Sequence, residues 1–109
     1  MELVKQHCKA CEGGVLPLTA EEAKTLMQEI NGWTLNAEAT RITRTFMFKG
    51  FYKTMGFVNA VAWIANQELH HPDMEISFDR CVIHFTTHAI SGLSQNDFIC
   101  AAKVNALQL

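Results

Sequence analysis

The stretch from Phe51 to Leu69 constrains this chain most. Phe51, Met55, Val58, Ala62, Ala65 and Leu69 recur at 4-3-4-3-4 spacing and form one apolar stripe of a helix. Phe57, Val61 and Ile64 form a second stripe, roughly 110° away at about 100° per residue. One stripe docks the helix on a sheet of its own domain. The second needs another surface, and because so short a domain has few elements to offer, a partner subunit is predicted, with the first or third helix as the alternative cover. A third face carries Asn59, Trp63, Asn66 and His70, so Asn66 stands one turn before His70 and can reach its ring. Pro72 ends the helix and pushes His71 towards an extended conformation.

Alternating segments flank this helix. Trp33 to Asn36 reads as a short strand. Arg41 to Phe48 reads as a half-buried antiparallel strand, with Ile42, Phe46 and Phe48 on the inner face. Met74 to Phe78 and Cys81 to His88 alternate in the same way. Cys81, Ile83, Phe85 and Thr87 face the core, while Val82, His84, Thr86 and His88 face the open side. Thr19-Ala20-Glu21-Glu22 is a capping box that opens a first helix from Ala20 to Ile30, with Asn31-Gly32 as its stop. Ser94 caps a third helix with Asp97 at its third position, and that helix ends near Leu107. The order α-β-β-α-β-β-α predicts an α+β fold, a four-stranded antiparallel sheet with three helices on one face. Residues 1–18 read as an N-terminal arm without regular structure, because of Gly13-Gly14 and Pro17, and residues 19–109 as a single domain.

With 49% hydrophobic residues the chain can build a core without staples, and a net charge of -2 is too small to draw in nucleic acid or an anionic membrane. No apolar leader follows Met1, and the longest apolar run is too short to span a bilayer, so a cytoplasmic protein is expected. Cys8 and Cys11 have C-x-x-C spacing after His7, but no second such pair follows. They are idle reduced thiols, a metal contact or a redox pair. Cys81 and Cys100 sit among apolar neighbours and read as buried small hydrophobes.

Four of the five histidines lie between His70 and His88. Histidine titrates nearest neutral pH and both gives and takes protons there. Several readings stand side by side. His70 and His71 can simply complement a helix C-terminus, and His84 and His88 can decorate a polar sheet face. Asp97 reads mainly as a helix cap. A metal held by three histidines is disfavoured, because adjacent histidines cannot easily aim at one ion.

The ordered set His70-His71-Pro72, Phe78, Thr87-His88 and Asp97 resembles the pterin-4a-carbinolamine dehydratases. Trp33, Phe46-Met47-Phe48-Lys49 and Gly92-Leu93-Ser94 fall where that family has like residues, and the resemblance spans Leu18 to Leu107. It implies dehydration of 4a-hydroxytetrahydropterin to quinonoid dihydropterin, recycling the pterin of aromatic amino-acid hydroxylases with no metal or redox cofactor. It implies that His70, His71 and His88 are catalytic, the first and third as acid and base and the second holding the pterin. Leu69, Thr86 and Thr87, with Asn66, would line the substrate site. The family commonly has an acidic residue where this chain has Asn66. His70 is therefore expected to lack a charged partner and to titrate lower than in acidic relatives. The resemblance also implies a homodimer or homotetramer, built here through the second helix and the sheet edge. The alternative function is a protein-binding module that acts as dimerisation cofactor of a transcription factor.

Overall fold

A computed structural model describes residues 2–10 and 15–107. The elements run α1 (Ala20–Met27), β1 (Thr34–Leu35), β2 (Ile42–Met47), α2 (Phe51–Glu68), β3 (Asp73–Ile76), β4 (Arg80–Phe85) and α3 (Gln95–Asn105). This is the expected α-β-β-α-β-β-α order. The four strands form one antiparallel sheet in the order β1-β2-β4-β3. Ile42 lies opposite Phe85, and Phe46 opposite Cys81. These inner-face residues share one core with Ala23 of α1, Phe57, Val58 and Val61 of α2, and Phe98, Ala101 and Val104 of α3. Cys81 and Cys100 are fully buried within it, as their neighbours implied.

α1 stops three residues short of the expected Ile30. Ile30 still reaches the core from the turn that follows, and Gly32 supplies the positive φ there. α2 buries an arc between its two apolar stripes rather than the first stripe alone. Phe57, Val58, Val61 and Ala65 face inward, while Phe51 and Leu69 are exposed. A helix on a sheet buries a wide sector, and here both stripes contribute to it. Phe57 packs its ring 4.5 Å from Phe46 and 5.0 Å from Phe48. The second stripe is thus covered within the chain and needs no partner subunit.

The expected fourth strand to His88 is also shorter. β4 ends at Phe85, Thr87 makes an isolated bridge to Gly92, and His88–Ile90 forms a 3-10 turn closed by Ser91 at φ 53°. That turn ends the alternation that had placed His88 beside His84, although His88 still approaches Asp73, the register partner of His84.

The arm has regular structure where none was expected. Leu3–Lys5 forms a 3-10 turn, and Leu3 is buried in the core cluster. Lys103 of α3 donates to the Val4 carbonyl at 2.9 Å.

Candidate active site

The helix that carries the histidine pair ends abruptly. Leu69 adopts the left-handed conformation at φ 54°, leaving its own side chain 88% exposed. The N–H groups of Leu69 and His70 both turn back to the Ala65 carbonyl. The backbone reversal breaks the i, i+4 alignment that would have set His70 above Asn66.

His70 instead points towards α3. Its Nε2–H donates to Asp97 Oδ1 at 2.6 Å, and its ring stacks on Phe85 at 6.0 Å between centroids. The other carboxylate oxygen accepts the Thr87 hydroxyl at 2.8 Å and the Ser94 N–H at 3.0 Å. Asp97 is wholly buried, and the His70 side chain is 12% exposed. A buried carboxylate is tolerated only when its oxygens are satisfied, as here. Asp97 is the helix cap that the sequence suggests, and it is also the charged partner that His70 was expected to lack. As an acceptor at Nε2, it favours the tautomer in which a neutral His70 carries its proton on Nε2.

A cleft of about 280 Å³ lies against this pair. His70, His71, His88, Leu69, Thr86 and Thr87 all line it. Of the residues expected to bind substrate, only Asn66 stands apart. It lines a neighbouring groove with Ala62, Ala65 and Met74, which His70 and His71 also border. The Thr86 hydroxyl donates to the Thr40 carbonyl at 2.7 Å, and that of Thr87 serves Asp97. Both threonines are therefore wall residues with their hydroxyls already committed to the fold. His88 is exposed, its side chain 66% accessible, with Asp73 3.9 Å away.

His84 is outside the cleft. It bonds Thr43 at 2.8 Å and Glu75 at 2.5 Å on the open sheet face, the structural role that its alternation suggested. That hydrogen bond and the charge of His84 hold the Glu75 carboxyl below its usual range.

The cleft has lining residues that sequence reasoning missed: Cys8, Lys9 and Ala10 of the arm, with Glu68 and Asn96. Nothing local in the sequence links residue 8 to residue 68 or 96. The Cys8 thiol lies 3.5 Å from that of Cys100. Hydrogen bonding to Cys8, together with burial, pushes the Cys100 thiol up. Cys11 lies outside the described residues. Among the described residues, no three His, Cys, Asp or Glu side chains gather in a way that would hold a metal ion.

A small α+β domain with three imidazoles on one cleft and a buried carboxylate behind the first has a build suited to acid/base chemistry. The model of the pterin 4 alpha carbinolamine dehydratase family matches residues 16–107. A Nitrosomonas eutropha relative bearing that dehydratase name is 56% identical, over 97% of this chain and 93% of its own. A Legionella pneumophila relative of the same name is 50% identical, over 97% and 95%. The crystal structure of a transcriptional coactivator/pterin dehydratase from Brucella melitensis aligns with a TM-score of 0.78 at 31% identity, over 83% of this chain and 96% of its own. A pterin dehydratase-like protein described as a RuBisCO assembly factor in the alpha-carboxysome shares the fold, with a TM-score of 0.60 at 18% identity. The chain belongs to the pterin-4-alpha-carbinolamine dehydratase family, whose members are hydro-lyases.

Proposed function

We propose that this protein removes water from 4a-hydroxytetrahydropterin to give quinonoid dihydropterin, and so returns the pterin cofactor of aromatic amino-acid hydroxylation to use. The observation that carries this reading is the buried His70–Asp97 pair beneath a cleft shared with His71 and His88. The reaction breaks the C4a–O bond and the N5–H bond. One imidazole, as its imidazolium, gives a proton to the departing hydroxyl, and another takes the N5 proton, so the protein gains and loses no net proton. His70 and His88 take these acid and base roles, and His71 holds the pterin ring. Asp97 orients His70 and balances its charge when the ring is protonated, as a buried carboxylate does for a catalytic imidazole elsewhere. Leu69, Thr86 and Thr87 shape the cleft around the flat heterocycle.

The test is a spectroscopic dehydratase assay of wild type against His70→Ala and His88→Ala. Loss of a positioned acid or base is expected to lower kcat by about 10²–10⁴-fold. A wild type no faster than both variants would end this reading.

The same reading includes assembly into a homodimer or homotetramer through α2 and the sheet edge. The outer face of α2 supports it, with Tyr52 93% and Trp63 64% exposed, as do Ile76 and Phe78 at the β3 edge. A cytoplasmic location belongs to it too, supported by the free thiols of Cys8, Cys81 and Cys100. No helix among the described residues is long and apolar enough to cross a membrane.

A further inference from the structure

The family model begins at residue 16, after the arm, while the Nitrosomonas eutropha relative aligns over 97% of the chain. Two anchors tie the arm down beside the catalytic pair. Glu68 is the last residue of α2, two before His70. Its Oε1 accepts the Cys8 N–H at 2.7 Å, and its Oε2 accepts His7 Nδ1–H at 3.0 Å. Asn96 immediately precedes Asp97. Its Oδ1 accepts the Lys9 N–H at 3.0 Å, and its Nδ2 donates to the Lys9 carbonyl at 2.6 Å. The Glu68 side chain is only 6% exposed, and Lys103 approaches it at 3.7 Å. Burial alone would raise the Glu68 carboxyl, but the Cys8 N–H, His7 and Lys103 outweigh it and hold it below its usual range. A buried, charged side chain that the dehydration does not use is thus devoted to holding arm backbone.

We propose that Cys8, Lys9 and Ala10 form a fixed wall of the pterin cleft, that Glu68 and Asn96 are the positioning residues that hold it, and that this wall sets substrate affinity. The inference rests on the dehydratase reading. The wall touches neither His70 nor Asp97 by any bond that fixes their geometry. It should therefore hold substrate and transition state about equally, and such uniform binding lowers KM without changing kcat.

Steady-state kinetics of full-length Glu68→Ala, Asn96→Ala and the double variant test this. Each single change is expected to raise KM about fivefold to tenfold with kcat within about twofold. The double variant should add little more, because either change frees the same segment. Glu68→Gln keeps an oxygen for the Cys8 N–H and should recover part of the loss. Trypsin cleavage after Lys9 reports the arm directly. It should be slow in wild type, slower still with a reduced pterin lacking the 4a-hydroxyl, and fast in the alanine variants. Should the buried sites not tolerate alanine, Lys9→Pro removes the N–H given to Asn96 at an exposed residue and should raise KM likewise; it also removes the side chain and the trypsin site, so it is read by KM alone against Lys9→Ala, which keeps the N–H. Variants that open to trypsin at Lys9 yet keep the wild-type KM would overturn the wall and leave the dehydratase reading intact. A wild type that neither turns over nor binds the pterin would remove both.

Discussion

Two histidine–carboxylate pairs in this protein have almost the same length and opposite meanings. His70 meets Asp97 at 2.6 Å, and His84 meets Glu75 at 2.5 Å. Asp97 is wholly buried, its oxygens shared among His70, Thr87 and Ser94, whereas Glu75 is 66% exposed on the edge strand. One pair lies at a cleft, and the other lies across a solvated sheet face. Distance alone does not mark a catalytic imidazole. Burial of its partner, and a cavity beside it, are what set His70 apart from His84 as the candidate.

The widest gap between the pairs should appear in turnover. His70→Ala should cost about 10²–10⁴-fold in kcat, while His84→Ala should leave the rate within about twofold. Equal losses in the same assay would dissolve the distinction.

Stability should separate them next. Asp97→Ala leaves His70, Thr87 and the Ser94 N–H without their acceptor and should destabilise the fold by about 3–5 kcal/mol, a fall of more than about 10 °C in Tm. Asp97→Asn should lose less stability but about 10²-fold in kcat, because the amide no longer balances an imidazolium. Glu75→Ala should leave the melting curve unchanged. Calorimetry of the three variants checks this, and a Glu75→Ala midpoint as low as that of Asp97→Ala would contradict it.

Acid sharpens the contrast through two other carboxylates. Glu75 and Glu68 both sit below their ordinary value of 4.5. A depressed carboxyl contributes stability that is complete above the unfolded value and is lost as pH falls through the lower folded one. Denaturant midpoints of wild type should therefore fall below about pH 4.5. The gap between wild type and Glu68→Gln should be wider at about pH 6 than at about pH 3. Salt of about 0.5 M should erase any corresponding gap for Glu75→Gln, where the carboxylate is 66% exposed, and spare that for Glu68→Gln, where it is 6% exposed. A Glu68→Gln gap that is the same at both pH values would count against the assignment.

The smallest effect concerns Asn66. Asp97 already supplies the carboxylate to His70, so Asn66→Glu should leave the pH-rate profile superimposable on wild type. A displaced profile would return Asn66 to the site.

Much of this was legible without coordinates. Alternation over Ile42 to Met47 and Arg80 to Phe85 marked the central strands, because each buries one face only. The Thr19 capping box and the Ser94-to-Asp97 spacing marked two helix starts, because orphan N–H groups demand an acceptor at that offset. The three cleft histidines were singled out by the family resemblance that their ordered motifs carry, not by local period. Where the reading failed, a residue's local period was not what aimed it. Leu69 turned left-handed and redirected His70. The 3-10 turn at His88 ended the strand alternation before that residue.

Local spacing determined the element order and the caps, since helix, strand and cap geometry act over a few residues, and the resemblance carried by the ordered motifs picked out the set of imidazoles. Only the tertiary structure decided that a carboxylate 27 residues away would grip His70, and that a segment 60 residues before Glu68 would close the cleft. Both depend on packing α3 against α2 and folding the N-terminus over them. Contacts of that kind leave no period in a sequence, because the chain between the partners can have almost any pattern.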